Sequence, residues 1–349
     1  KSRSRGLGYV YKRQVLQQVE HFSNPGMTAN DSFKPVTKYF DRITRPEQII
    51  QSLPQAIQTM LDPADSGPAC LSLCQDVQGE TFDYPEEFFK ERIHNIRRPK
   101  PDDFQIKQAI EKIKKSKKPI IISGGGVFYS DAMDELGSFA IKHNIPVTQT
   151  VMGYSTMKRD HSHFLGPIGG LGGRAANNLA KETDLAICVG TKLADFTTGS
   201  WANFENPEFK LVSINIARHD ANKHLAEAVI GDAKVCLSEL SNSLGNWKSP
   251  DSWHKKSQDE LKSWNEYVDK ESGPTNQETP NYAHAVGAIY RNSDPTDIAV
   301  TAAGGLVGEV VQVWRPKELN THETEWGFSC MSYETVSYTH LRAHETSTY

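Results

Sequence analysis

"KPIIISGGGVFYSDAMDELGSFAIKHNIPVTQT", residues 118 to 150, is the stretch on which the fold turns. A run of branched apolar residues, Ile120 to Ile122, stops at three glycines; a helix-like segment follows, and a second apolar run begins at Ile145. Strand, tight turn, helix and strand make the repeating unit of a parallel sheet. The rhythm continues on both sides. A helix is expected before it in "FQIKQAIEKIKKS" (104–116). After a long glycine-rich loop come helix "RAANNLAKET" (174–183), strands "DLAICVG" (184–190), "FKLVSINI" (209–216) and the short "AVIGD" (228–232), and helix "AKVCLSELSNSLGNW" (233–247). The pattern predicts an α/β domain over about residues 104 to 247, a doubly wound parallel sheet covered by helices on both faces.

Toward the N-terminus, "RPEQIIQSLPQAIQTMLDP" (45–63) places Ile49, Ile50, Leu53, Ile57, Met60 and Leu61 at helical spacing, opened by Thr44 and closed by Asp62-Pro63. "GPACLSLCQDVQGE" (67–80) follows as a buried strand, and the basic, proline-containing "RIHNIRRPKPDD" (92–103) reads as a linker. Beyond the central domain, residues 248–280 are charged and poor in branched apolar residues, which predicts an exposed helix and a connector. A further unit opens at Asn281 with helix "NYAHAVGAIYRNS", strand "DIAVTAAGG" and helix "LVGEVVQVW", too little by itself for an independent core. The two ends, residues 1–14 and 335–349, lack periodicity and read as foreign or adaptor-like tails.

The charged fraction of 23% and net charge of −4, with no long block of one sign, argue against nucleic acid as a partner. No stretch approaches the ~20 consecutive apolar residues of a membrane helix, so no membrane partner and a cytoplasmic location are expected. The five cysteines show no zinc spacing and demand no disulfides.

The candidate motifs each carry a plainer alternative. "SGGGVFYS" (123–130) could bring backbone to a phosphate, yet it does not complete G-x-G-x-x-G. After "SINI" the residues are Asn215 and Ala217, with Asp220 too late to hold a ribose, so FAD is not expected. "GPIGGLGGRAAN" (166–177) is either an anion-facing loop or a flexible crossover. His161 and His163 could pair on a metal, but surface histidines are the expected reading. Asp195 and Arg174 are expected to be solvated or to pair between domains, and Ser123, Ser155 and Ser200 lie in no G-x-S-x-G elbow. "TAAGGLVGE" (301–309) sets glycines at the carboxyl end of a strand, where open α/β sheets bind ligands.

In order, the helix with "GPACLSLCQDVQ", the linker, the domain opening "KPIIISGGG", then "VTAAGG" (300–305) and "WGFSCMSYE" (326–334) are similar to the acetolactate-synthase-like family of thiamine diphosphate enzymes. The strings at 73–99, "DFTTGSW" (195–201) and "EWGFSCMSYE" (325–334) resemble a branch that hydrolyses a carbon–carbon bond in a small cyclic polyol dione. The resemblance implies a three-domain thiamine diphosphate enzyme architecture with a complete central domain and partial flanking α/β domains. Residues 15–98 would be the C-terminal half of the pyrimidine-binding domain, 99–247 the central Rossmann-like domain, 248–280 a linker and 281–334 the start of the diphosphate-binding domain. It also implies thiamine diphosphate with Mg2+ as cofactors. Gly304, Gly305 and Leu306 would lie at the diphosphate loop. Ser329, Cys330 and Met331 would hold the aminopyrimidine, with Met331 wedged beneath the cofactor to keep it bent, so that the pyrimidine amine reaches the thiazolium carbon. The activating glutamate is expected upstream and the metal ligands beyond residue 334. The chain as written is therefore expected to bind the cofactor weakly and to be inactive. A homodimer or homotetramer is implied. Two alternatives stand beside this: a carboligase or decarboxylase on 2-oxo acids, and a nucleotide-binding, sirtuin-like module without catalysis.

Overall fold

The computed structural model describes residues 10–12, 28–325, 327, 330–335 and 337. The chain divides after Arg97 into two compact units.

The first unit comprises β1 (Val10–Lys12), α1 (Thr28–Asp31), β2 (Tyr39–Ile43), α2 (Ile49–Leu61) and β3 (Ala69–Cys74), with the strands parallel in the order β1-β3-β2. The entry to α2 is fixed by Gln48 rather than by a capping Thr44. Its Oε1 accepts the Thr44 hydroxyl at 2.9 Å and the backbone N–H groups of Thr44 and Arg45 at 2.7 and 2.9 Å. One side chain thus satisfies donors that the turn before the helix leaves open. Ile43, Cys74 and Val77 form the small core, with Ile49 and Leu73 against it.

The second unit runs through α3 (Asp103–Lys115), β4 (Pro119–Ser123), α4 (Gly125–Tyr129), α5 (Met133–His143), β5 (Val147–Gln149), β6 (Phe164–Pro167), α6 (Arg174–Glu182), β7 (Leu185–Val189), α7 (Asp195–Thr198), β8 (Lys210–Asn215), α8 (Arg218–Ala221), β9 (Glu227–Ile230) and α9 (Ala233–Leu244). Then come α10 (Asp251–Glu271), α11 (Tyr282–Asn292), β10 (Ala299–Thr301), α12 (Gly305–Val313) and β11 (His322–Thr324). Six parallel strands lie in the order β6-β5-β4-β7-β8-β9. From β4 the chain winds outward to β6, returns to β7 beside β4, and winds outward the other way. That reversal makes it the doubly wound α/β sheet expected from residues 118–150, with its switch point between β4 and β7.

Strand periodicity distributes the core. Ile121 of β4 and Ile187 of β7 enter one cluster with Ile113, Leu136, Phe139 and Leu240 from the α3, α5 and α9 side. Ile120, Ile122 and Cys188 enter the other, with Leu179 of α6 and Trp253 and Trp264 of α10. Each fully buried isoleucine is worth about 1.5–3 kcal/mol of burial, so the run Ile120 to Ile122 anchors both faces at once.

Several elements depart from the sequence expectation. β1 lies within residues 1–14, read from the sequence as a foreign tail, yet it pairs in parallel with β3, Val10 opposite Ser72. β6 emerges from the stretch expected to be loop, as a four-residue strand pairing β5 with a register shift at Val147/Thr148. α10 is not an exposed helix. Trp253, Ser257, Trp264 and Val268 are buried along one stripe, and the Trp253 indole N–H donates to Pro119 O at 2.8 Å. The same cluster takes in Val286 and Tyr290 of α11 and Val310, Val313 and Trp314 at α12, so residues 282–314 share the core on that face of the sheet.

Candidate functional site

β10 and β11 pair in parallel, Ala299 opposite His322 and Thr301 opposite Thr324. The chain therefore leaves both strands at the same end, once into Ala302–Leu306 and once into the segment after Glu325. In the first exit Gly304 adopts φ 121° and ψ 179°, open to glycine alone, and α12 begins at Gly305. A Cβ on Gly304 would meet nothing within 4 Å, so the dihedral, not crowding, demands the glycine. Gly304, Gly305 and Leu306 are exposed, which leaves the first-turn N–H groups of a nine-residue helix open to an anion.

In the second exit, Cys330 N–H donates to Glu325 Oε2 at 2.8 Å, and Tyr333 N–H reaches back to Cys330 O at 3.4 Å. Met331 occupies the corner of that turn, 81% exposed, and Ser332 takes φ 75°. The Tyr333 hydroxyl donates to Glu323 Oε1 at 3.3 Å. Ser329 lies outside the described residues, as do Trp326 and Phe328. Of the six candidate residues, five are thus placed on two segments launched from one end of one strand pair. Glu323, Glu325 and Ser332 were missed by sequence reasoning. No residue spacing marks them, because their roles come from a backbone angle and from bonds across the turn.

The other motifs take structural roles. A Cβ on Gly124 would lie 2.4 Å from Gly190 O, and one on Gly126 2.5 Å from Gly190 Cα, so these glycines let the β4 and β7 loops touch at the switch point. The loop 166–173 is held to α6 by Asn177, which exchanges two 3.0 Å hydrogen bonds with the backbone of Gly169. Arg174 donates to Ser263 Oγ at 3.3 Å and lies over the rings of Trp264 and Tyr267, while Asp195 accepts from Ser200 Oγ at 3.0 Å. Ser123 Oγ shares a 2.8 Å hydrogen bond with Thr156 Oγ1. Asn215 donates to Thr191 O and accepts from Ala217 N–H, and Asp220 pairs with Lys223.

His163 is not a surface histidine. It is 6% exposed, stacks on His254 with ring centroids 4.1 Å apart, and bonds Ser162 Oγ and Asn144 Oδ1. The sequence concealed this because its burial depends on α10, which is remote in the chain. Among the described residues no three His, Cys, Asp or Glu side chains group to hold a metal.

Residues 106–240 match the family model described as thiamine pyrophosphate enzyme, central domain. The doubly wound domain thus matches the central domain of thiamine pyrophosphate enzymes. It is 40% identical, over 343 residues, to the 3D-(3,5/4)-trihydroxycyclohexane-1,2-dione hydrolase of Clostridium perfringens (strain 13 / Type A), which covers 92% of this chain and 54% of that protein. The hydrolase of the same name from Clostridium botulinum (strain Alaska E43 / Type E3) is 40% identical over 343 residues, 92% of this chain and 53% of that protein. The one from Bacillus licheniformis is 39% identical over 351 residues, 92% of this chain and 54% of that protein. The chain spans about half the length of these curated relatives. Among the described residues no helix is long and apolar enough to cross a membrane.

Proposed function

We propose that this chain is part of a thiamine diphosphate-dependent hydrolase that opens the ring of 3D-trihydroxycyclohexane-1,2-dione to 5-deoxyglucuronate by cleaving a carbon–carbon bond with water. The observation that carries the reading is the 40% identity over 92% of the chain to hydrolases bearing that name. The loop ahead of α12 supports the reading. Gly304 opens an uncrowded, glycine-only bend ahead of α12, and the exposed amides there suit a diphosphate.

On this reading Gly304, Gly305 and Leu306 hold the diphosphate end, and Ser329, Cys330 and Met331 contact the aminopyrimidine. Bound there, thiamine diphosphate supplies a carbon nucleophile for the dione carbonyl. The chain's own contribution is to bind and orient. The first turn of α12 offers N–H donors to the anion, and Met331, unbranched and polarizable, offers an adaptable apolar surface beneath a ring. Mg2+, with ligands outside residues 1–334, belongs to the proposal, as do a homodimer or homotetramer, a cytoplasmic location and the absence of FAD.

The test is turnover by the full-length protein supplied with thiamine diphosphate and Mg2+. Hydrolysis of the cyclic dione without turnover of pyruvate is the expected result. Turnover of pyruvate without hydrolysis of the dione would replace this reading with a carboligase or decarboxylase, and a purified protein that came out yellow would overturn the exclusion of FAD.

A further inference from the structure

Among the described residues, the turn that carries Met331 is tied by side-chain carboxylates to one strand and its exit. Glu323, inside β11, accepts the Tyr333 hydroxyl at 3.3 Å, and Glu325, directly after β11, accepts the Cys330 N–H at 2.8 Å. Between the ties Met331 is 81% exposed, so packing does little to fix it, and Ser332 sits at φ 75°, a conformation its own sequence does not favour. A turn with an exposed corner and a strained following residue needs an external hold. The carboxylate at Cys330 is the shorter of the two, and a bond from a backbone N–H to a charged acceptor is roughly twice as strong as one to a neutral acceptor.

We infer that Glu325 is a positioning residue for this turn: its carboxylate fixes the Cys330 amide and, through it, the direction in which Met331 leaves the backbone toward the cofactor. The inference deepens the reading of Cys330 and Met331 as cofactor contacts and rests on it. Glu325 need not touch the cofactor. Its effect is transmitted through one amide, and it is therefore separable from the diphosphate loop at Gly304.

The test is made on the full-length protein with labelling read at the Cys330 peptide by mass spectrometry, since Cys330 is exposed while Cys70, Cys74, Cys188 and Cys236 are buried. Two measurements are made on the wild type, Glu325→Ala and Glu325→Gln. Hydrogen exchange at the Cys330 amide is expected to quicken about tenfold in the Ala variant and about threefold in the Gln variant, which keeps an acceptor oxygen but not its charge. Labelling of Cys330 with and without millimolar thiamine diphosphate and Mg2+ is expected to show shielding that the Ala variant loses and the Gln variant largely retains. A merely stabilising role would not produce that rescue. Equal exchange in wild type and Ala variant overturns the inference, and so does full shielding in the Ala variant. If exchange quickens as expected but the cofactor never shields the wild-type thiol, the hold on Cys330 stands and the cofactor reading of the turn falls.

Discussion

At Ser332 the backbone takes φ 75°, the sign that a type II turn demands at its third residue and that side chains other than glycine and asparagine resist. Left-handed backbone costs a non-glycine residue about 1–2 kcal/mol, and glycine returns roughly 0.5–1 of that in lost flexibility. Ser332→Gly should therefore tighten the turn by up to about 1 kcal/mol, read as Tyr333 amide exchange slowed about fivefold; unchanged or faster exchange would mean the turn is not strained there. Gly304 shows the opposite case. Its φ of 121° and extended ψ exclude a side chain on conformational grounds, so Gly304→Ala should cost about 1–3 kcal/mol. Gly305→Ala, whose Cβ would come no nearer than 3.9 Å to Tyr282 Cε2, should stay within about 0.5 kcal/mol of wild type. Denaturant midpoints of the two variants decide it, and equal losses would sink the argument. Residue identity made Gly304, Gly305, Cys330 and Met331 legible in the sequence. It could not expose Glu325 or Ser332, since a carboxylate's partner and a dihedral's sign are settled only once the turn exists.

Elements were legible in proportion to how completely they are buried. β4 and β7 carry unbroken apolar runs because each is covered on both faces, and β8 is continuous with them; all three stand where the sequence placed them. β6 escaped notice because four residues ending in Gly166-Pro167 carry little periodicity, and β11 because three residues carry none. α10 was misjudged for a different reason: its buried stripe is made of two tryptophans, a serine and a valine spaced among lysines and glutamates, so mean polarity hid a face that the sheet requires. The consequence is large. Trp253 is 3% exposed, packs among the residues covering β4, and donates to Pro119 O at 2.8 Å. Trp253→Ala should cost about 3–5 kcal/mol, whereas a solvent-facing tryptophan would cost little. Trp253→Phe should restore most of the packing but lose the hydrogen bond, a deficit of about 1 kcal/mol. Chemical denaturation of the pair, with losses under about 1 kcal/mol for the Ala variant, would return α10 to the surface.

For the molecule as a whole, acid is where buried imidazoles should show. Asn144 Nδ2 donates to Ser249 O and Asp251 Oδ1, so its Oδ1 faces His163 Nε2 as an acceptor, and His163 carries its proton on Nε2. Nδ1 then accepts from the Ser162 hydroxyl, and the ring is neutral. Burial pushes the His163 pKa down to about 4, helped by the neighbouring His254 and His161; burial alone takes His322, edge-on to Tyr154, down to about 4 as well. Nearby, Asp160 favours protonation of His161 and Asp251 favours protonation of His254. In the unfolded chain both histidines bind protons near pH 6.5. Between about pH 6.5 and 4 the unfolded state therefore holds more protons than the folded one. The stability these groups contribute is complete above pH 6.5 and drains away as pH falls through that window, on the order of 2 kcal/mol per histidine. Denaturant unfolding at pH 7.5 and 4.5 should show the loss, and His163→Gln, though weaker at pH 7.5, should lose less on acidification than the wild type. The same acid loss in both proteins would mean that His163 does not stay neutral in the fold, and that the stack on His254 tolerates charge.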